Sequence, residues 1–422
     1  MPADRDALKV LAFIDDPAHY SARVRSSIPF NALRQQKVVE YRAISFFNAT
    51  DALDGKPYIG KKFLESYFYP ADIVQWSLCS SVAWLKFMPL IQKAGKPFVM
   101  DLDDDLWAVS PYSNCYLRWG TKGPIPVTVA TTSRGTGVEE GKSYTLWDPE
   151  KIYIEDGKEV KFDPAANLVE LDKIEAAIRA ADAVTVTTER AAERFRQWNP
   201  SVHVLPNTLE TRCWGAGKWH RGDGLYRIGW YGGSSHKPDL GPWTGAGEAL
   251  GRFAKAHPDV RVVIGGVLLP EVRHHVPPKQ IEFHEWICAD AHPFQVATYG
   301  LDHGLAPVCQ MPFNESKSPI KWTELSALGV PTSCSNATPY KEFVRDGEDG
   351  FLVEDGVEKW LENMERVYGD TMLRARVGNQ ARKRFEADYE VMGQSHRWME
   401  VYADLFRKGP RSNPAPVMEG AA

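Results

Sequence analysis

Short apolar runs alternate with amphipathic stretches along most of this chain, the pattern made by strands of a parallel sheet and the helices that cover them. Leu8 to Ile14 is a near-continuous apolar run and predicts a buried strand, followed by a helical stretch around Ile28 to Leu33 and a short run at Val38-Val39. Ile73-Val74 and Pro97 to Met100 predict further strands, with a helix between them through Val82, Leu85, Met88 and Leu90. Leu168, Leu171, Ile174 and Ile178 recur at helical spacing and lead into the β-branched run Ala183 to Thr187; Val202 to Leu205 adds one more strand, ended by Pro206-Asn207. These elements make one doubly wound unit.

A second series begins after Gly222-Asp223-Gly224. It runs through a strand at Tyr226 to Tyr231, a Gly/Ser loop, a helix through Leu250 and Phe253, and a strand at Val260 to Ile264. Leu305 to Val308, the helix Ile320 to Leu328 and Gly350 to Val353 continue it. From Val357 to Phe406 the pattern is helical throughout, and Trp398, Tyr402 and Phe406 form an aromatic stripe that needs a surface to cover it. The segment 112–163 fits neither series. Its Gly120 to Lys142 stretch reads as an irregular β-arm, and Ile152 to Phe162 reads as a hairpin turning through Asp156-Gly157 in a type I′ turn. The expected organisation is therefore a first domain over 1–208 with an insertion at 112–163, and a second domain over 209–385. A helix over 386–408 crosses back to the first domain, and a disordered tail follows over 409–422.

Composition narrows the class without naming it. The 422 residues are 43% hydrophobic and 25% charged, which suits a globular protein of two or three domains. No apolar run approaches the roughly 20 residues of a membrane span. Residues 1–10 carry no signal-peptide core, and the six cysteines (Cys79, Cys115, Cys213, Cys288, Cys309, Cys334) form neither a C-x-x-C pair nor a cluster with histidine. Reduced thiols and a cytoplasmic protein are the expectation. A net charge of −5 argues weakly against a large nucleic-acid footprint.

The candidate chemistry concentrates in three places. Lys317-Ser-Pro-Ile-Lys-Trp-Thr-Glu324 puts Lys321 and Glu324 on one helix face with Lys317 one turn earlier. Cationic groups at a helix start suit a diphosphate, and a carboxylate one turn along can accept from vicinal hydroxyls such as those of a ribose. A surface Lys-Glu pair is the plain alternative. Gly232-Gly-Ser-Ser-His-Lys237, directly after a strand, combines glycines that admit an anion to the backbone with the hydroxyls of Ser234 and Ser235 and the charge of His236 or Lys237. A simple turn with a serine cap reads equally well there. Met100-Asp-Leu-Asp-Asp-Asp105 sits at the carboxyl end of a strand, where open α/β sheets place ligands. Four carboxylates this close repel, so some are expected to titrate high. Asp101 and Asp103 are assigned to the sugar or acceptor, the alternative being an acidic loop that caps the next helix. Arg23 and Arg25 follow the first strand and suit either an oxyanion across a cleft or an ordinary helix surface.

The block Lys317 to Pro331, with Ser335 to Glu342 and Asp346 to Val353, resembles the second domain of the retaining GT-B glycosyltransferases of the glycogen-synthase-like group, glycosyltransferase family 4 or group 1. The resemblance implies two Rossmann-like α/β domains facing a cleft, and a nucleotide-diphosphate sugar (UDP- or GDP-sugar) as donor. Transfer is then with retention, metal-independent and without a cofactor, and Glu324 holds the donor ribose. Lys317 and Lys321 neutralise phosphate, Gly232, Gly233, Ser234, Ser235 and His236 complete the donor site, and Lys321 and Glu324 stand with Asp101 and Asp103 as the catalytic set. The family's additional glutamate eight positions before Glu324 is Ser316 here, with Glu315 one residue off. The insertion resembles those of some phage-borne glycosyltransferases, so a modified DNA base stands beside glycan, lipid and protein as acceptor. Two other readings compete: a metal-dependent phosphohydrolase or sugar-nucleotide enzyme using Asp101 and Asp103, and a non-catalytic nucleotide-sugar binder.

Overall fold

The computed structural model describes residues 7–14, 20–45, 68–77, 82–128, 143–155, 157–214, 217–219 and 221–411, with the side chains of Ser45, Ala83, Trp84, Lys86, Thr128, Glu155, Ser234, Ser235 and Lys237 excepted. The first unit contains β1 (Leu8–Ile14), β2 (Val39–Ser45), β3 (Ile73–Ser77), β4 (Phe98–Leu102), β5 (Ile125–Thr128), β6 (Ser143–Leu146), β7 (Ile152–Glu155), β8 (Lys158–Lys161), β9 (Ala183–Val186) and β10 (Val202–Val204). The second contains β11 (Tyr226–Gly232), β12 (Val260–Gly266), β13 (Ile281–Glu285), β14 (His303–Ala306), β15 (Thr332–Ser335) and β16 (Phe351–Val353). β13 and its flanking helices Pro270–His275 and His292–Thr298 carry no clear apolar run, and the sequence pattern misses them.

Each unit is built on a parallel six-stranded sheet, ordered β10-β9-β4-β3-β1-β2 in the first and β13-β12-β11-β14-β15-β16 in the second. Both are doubly wound, and each has a switch point, between β1 and β3 and between β11 and β14, where the strand order reverses. A crevice opens at the carboxyl edge of a sheet at such a point, because the connections on either side leave in opposite directions.

Pleating explains how each sheet is covered. In the first, Leu11, Phe13, Val74, Trp76, Phe98 and Met100 point to one face, under the helix Pro164–Ala180 with Leu171, Ile174 and Ile178. Leu8, Val10, Ile73 and Val99 point to the other face, where Trp398, Tyr402 and Leu405 of the helix His396–Lys408 pack against them. The Tyr402 hydroxyl donates to Gln75 at 2.6 Å, and the Gln75 amide donates to Ser26 at 2.7 Å, so the polar atoms buried with the stripe are satisfied. The chain reaches this helix after pairing with the linker: Leu209 N donates to Tyr389 O at 3.0 Å and Val391 N to Leu209 O at 3.0 Å.

Two inward positions differ from the sequence expectation. Leu168 and Leu90 are about half exposed, at 49% and 50%. On the first helix Asn167 takes the inward place, because its amide donates to the carbonyls of Leu117 and Gly120 at 3.0 and 2.9 Å, which a leucine could not satisfy. The insertion carries two antiparallel pairs, β5-β6 and β7-β8, whose base is held by Trp147 packed against Tyr116, Tyr153 and Phe162. The hairpin turn has Gly157 at φ +76°, while Asp156, most of the expected irregular stretch (129–142) and the tail beyond 411 lie outside the described residues.

Trp398 is fully buried, so Trp398→Ala removes the centre of the aromatic stripe. The expected loss is about 3–5 kcal/mol of stability, read as a lower midpoint in urea unfolding.

Candidate functional site

The carboxyl ends of strands from both sheets converge on one cleft, a cavity of about 230 Å³ open to solvent. Tyr20, Ser21, Asp103, Asp104 and Asn207 line it from the first unit, and His236, Asp239, Lys317, Ser318, Lys321 and Tyr340 from the second. Three of the proposed donor residues therefore meet: His236, Lys317 and Lys321. Lys321 lies in the helix Ile320–Ala327, while Lys317 precedes it and rests its ammonium 4.4 Å from the centre of the Phe313 ring.

The cationic wall has an internal order. His236 and Asp239 occupy the 3₁₀ segment Ser234–Leu240, where residues three apart eclipse, so the carboxylate falls directly on the ring. Asp239 Oδ2 lies 2.7 Å from His236 Nδ1, and Lys321 Nζ lies 3.0 Å from His236 Nε2. An ammonium only donates, so Nε2 accepts, the ring proton sits on Nδ1 toward the carboxylate, and His236 is neutral. Burial, then the Lys321 charge, pushes the His236 pKa down to about 4. Burial, with Lys317 adding like charge, lowers the Lys321 ammonium to about 8. Against the cost of burial, the bond from His236 holds the Asp239 carboxyl below its usual range.

Glu324 lies next to this wall, outside the lining of the cleft. It is 2% exposed, its Oε1 accepts from Tyr20 of the first unit, and its Oε2 accepts from Tyr231 at 2.8 Å. His292 Nε2 stands 3.6 Å from Oε1, among the rings of Tyr20, Trp214, Tyr231 and Trp286. Burial and the neighbouring carboxylate raise both tyrosines well above their usual pKa, which keeps them donors.

The acidic run divides. Asp101, expected at the sugar or acceptor, is 2% exposed and does not line the cleft. Its carboxylate takes a two-pronged bond from Arg25 at 2.6 and 3.2 Å and a bond from Thr185 at 2.6 Å. Arg25 is consequently neither a surface charge nor an anion ligand, its third partners being Leu205 O and the Asn207 side chain. Arg23 pairs with Asp290. Asp105 caps the short helix Leu106–Ala108 and pairs with Arg194 at 3.1 Å. Asp103 and Asp104 do face the cleft, and burial followed by the Asp103 charge pushes Asp104 up to about 6. Among the described residues no group of three His, Cys, Asp or Glu side chains is placed to hold a metal ion.

Gly232 and Gly233 do not line the cleft. Gly232 serves packing: a Cβ there would stand 2.9 Å from Trp230 and 3.1 Å from His236, and its carbonyl accepts from Val267 N at 3.1 Å. The side chains of Ser234, Ser235 and Lys237 lie outside the described ones. Ser316 is buried under the first unit, its carbonyl accepting from Thr188 at 2.9 Å, and Asn207 donates to Ser318 at 2.9 Å. Sequence reasoning missed Tyr20, Asn207, Tyr231, Asp239 and Tyr340. Only Asp239 carried a local signal, the His-x-x-Asp spacing of a 3₁₀ turn.

Two parallel-sheet units with a cationic cleft at their facing carboxyl edges are the architecture of the GT-B fold. The family described as Glycosyl transferases group 1 matches residues 309–384, the segment that supplies Lys317, Lys321 and Glu324. Among solved structures the chain is similar to Anabaena Alr3699/HepE in complex with UDP, at 15% identity and TM-score 0.56 over 94% of this chain and 100% of that one. It is also similar to sucrose-phosphate synthase from Thermosynechococcus elongatus, at 13% identity and TM-score 0.57 over 95% and 100%. A third likeness is to a putative UDP-N-acetylglucosamine 2-epimerase from Listeria monocytogenes, at 13% identity and TM-score 0.51 over 97% and 98%. At such identities these likenesses establish the fold. No curated protein matches the chain. The chain therefore has the GT-B fold, and its residues 309–384 match the group 1 glycosyltransferases.

Removing the Asp101 carboxylate strands a buried guanidinium. Asp101→Ala is expected to cost about 3–5 kcal/mol in chemical unfolding, and the apolar double variant Asp101→Leu/Arg25→Met to recover most of it. A single-variant loss below 1 kcal/mol would contradict the buried pair.

Proposed function

We propose that this chain transfers a glycosyl group from a nucleoside diphosphate sugar, seated on the second unit, to an acceptor that enters along the first, with retention and without a metal. The observation that carries this is the convergence of Lys317, Lys321 and His236 on one wall of a cleft at the switch point of the second sheet. A departing diphosphate gathers negative charge, and fixed cationic groups in a partly dry cleft stabilise it without reorganising. Front-side attack assisted by the leaving phosphate then asks no protein side chain to be a strong base. HepE has been solved with UDP and with UDP-glucose, which favours a uridine donor, with GDP-sugars the next candidates.

In this reading Asp103 and Asp104, opposite the lysines, meet the acceptor or the sugar hydroxyls. Glu324 takes the ribose hydroxyls after Tyr20 leaves its Oε1. The acceptor is a glycan, lipid, protein or modified DNA base. No helix among the described residues is long and apolar enough to cross a membrane, and a cytoplasmic location is part of the proposal. The phosphohydrolase reading loses support because both Asp101 oxygens are engaged by Arg25 and Thr185. A binder without catalysis is separated by turnover alone.

Calorimetry with UDP, GDP and ADP tests the donor site. Lys321→Ala and Glu324→Ala are each expected to weaken the preferred nucleotide by about 1–3 kcal/mol through lost charged hydrogen bonds. Unchanged affinity in both variants would remove the site. Incubation of the enzyme with a panel of nucleotide sugars and EDTA should leave donor turnover intact, and NMR of the product should show the donor's anomeric configuration.

A further inference from the structure

Lys321 is 8% exposed, and among the described residues its ammonium meets no carboxylate directly. The groups that face it are His236 and Asp239 from the 3₁₀ segment, Lys317 and Glu324 from its own element and the segment before it, Tyr340 of the same unit, and Asp103 and Asp104 across the cleft. Of these, His236 is in contact, and Asp239 stands directly behind it. Asp239 is itself anchored: it is 2% exposed, and its second oxygen accepts from Cys309 N at 2.9 Å. The carboxylate therefore has one geometry available. It directs the ring proton to Nδ1 and leaves the Nε2 lone pair aimed at the lysine.

We propose that Asp239 is a positioning residue of the donor site: through His236 it orients the Lys321 ammonium toward the cleft, and its charge sets the pH above which the donor diphosphate is no longer held. The inference rests on the reading of Lys321 as a phosphate ligand. Neither the family match nor the solved structures assign this role to Asp239.

The sign follows from the charges. Lys321 binds a diphosphate as an ammonium, and with its pKa lowered to about 8 it loses that form as pH rises through this value. Asp239 raises the Lys321 pKa against burial and against Lys317. Neutralising Asp239 moves the loss of the ammonium to lower pH. Asparagine keeps the shape and one oxygen that accepts from Nδ1, with its amide nitrogen in place of the oxygen that accepts from Cys309 N, so Asp239→Asn removes the charge and that backbone bond while leaving the ring orientation available.

The test is calorimetric binding of UDP between pH 7 and 9.5, where the nucleotide's own phosphates are essentially ionised. Wild type is expected to hold its affinity to about pH 7.5 and then to lose up to tenfold per unit. Asp239→Asn is expected to shift that decline downward by half a unit or more, and Asp239→Glu, which retains the charge, to stay near wild type. In a Lys321→Met background the decline disappears and Asp239→Asn no longer changes affinity, a result that a merely structural role would not produce. Wild type measured at pH 8.5 in buffers of different ionisation enthalpy should show proton uptake on UDP binding, which checks the proposal in the unaltered fold. Lys321-dependent binding with coincident pH curves for wild type and Asp239→Asn, or no proton uptake, overturns the role of Asp239. Binding that is the same with and without Lys321 overturns the donor site itself.

Discussion

A lysine held almost out of water needs a partner, and Lys321 finds an imidazole rather than a carboxylate. That choice governs the second unit's half of the cleft. A direct carboxylate partner would cancel the ammonium and leave nothing for an anionic substrate. A neutral ring accepts one proton, lets the charge persist, and places the compensating carboxylate of Asp239 one residue further back. The cost of burying an incompletely paired cation is borne by the rest of the fold, since the unfolded chain would solvate it freely. Sites arranged this way favour states in which negative charge arrives or develops beside them.

The two units meet through an apolar seam, in which Val24, Ile28 and Ala32 join the buried cluster around Tyr231, Trp322 and Leu325, and through short, specific polar ties. Tyr20 reaches Glu324, Asn207 reaches Ser318, Thr188 reaches the Ser316 carbonyl, and Arg190 pairs with Glu342 at 3.0 Å. Three of these end on or just before the helix that carries Lys321, so they tie the first unit to the lysine wall of the cleft. Ser316, in the place of a family glutamate, is occupied in this way: its backbone serves the interdomain contact and its side chain is turned in. The buried Arg25-Asp101 pair continues the same line, because Arg25 also bonds the Asn207 side chain.

The fold alone does not decide the chemistry, since a putative epimerase shares it with sucrose-phosphate synthase. The segment 309–384 is both the part that matches the glycosyltransferase family and the part that brings its lysines to the cleft.

What the amino-acid order determined by itself was whatever repeats locally. The alternation of β1, β3, β4, β9, β11 and β12 with helices, the aromatic stripe on the last helix and the dense block from Lys317 to Val353 all lie within short windows, where period and spacing are visible. What tertiary structure decided was every pairing between distant residues. Asp101 and Asp103 are equivalent in sequence, yet one is buried against an arginine 76 positions away and the other faces the cleft. Glu324 looks like a free carboxylate until a tyrosine 304 positions earlier and another 93 earlier are laid on it. Such contacts depend on how two sheets face each other, and no local window carries that distance.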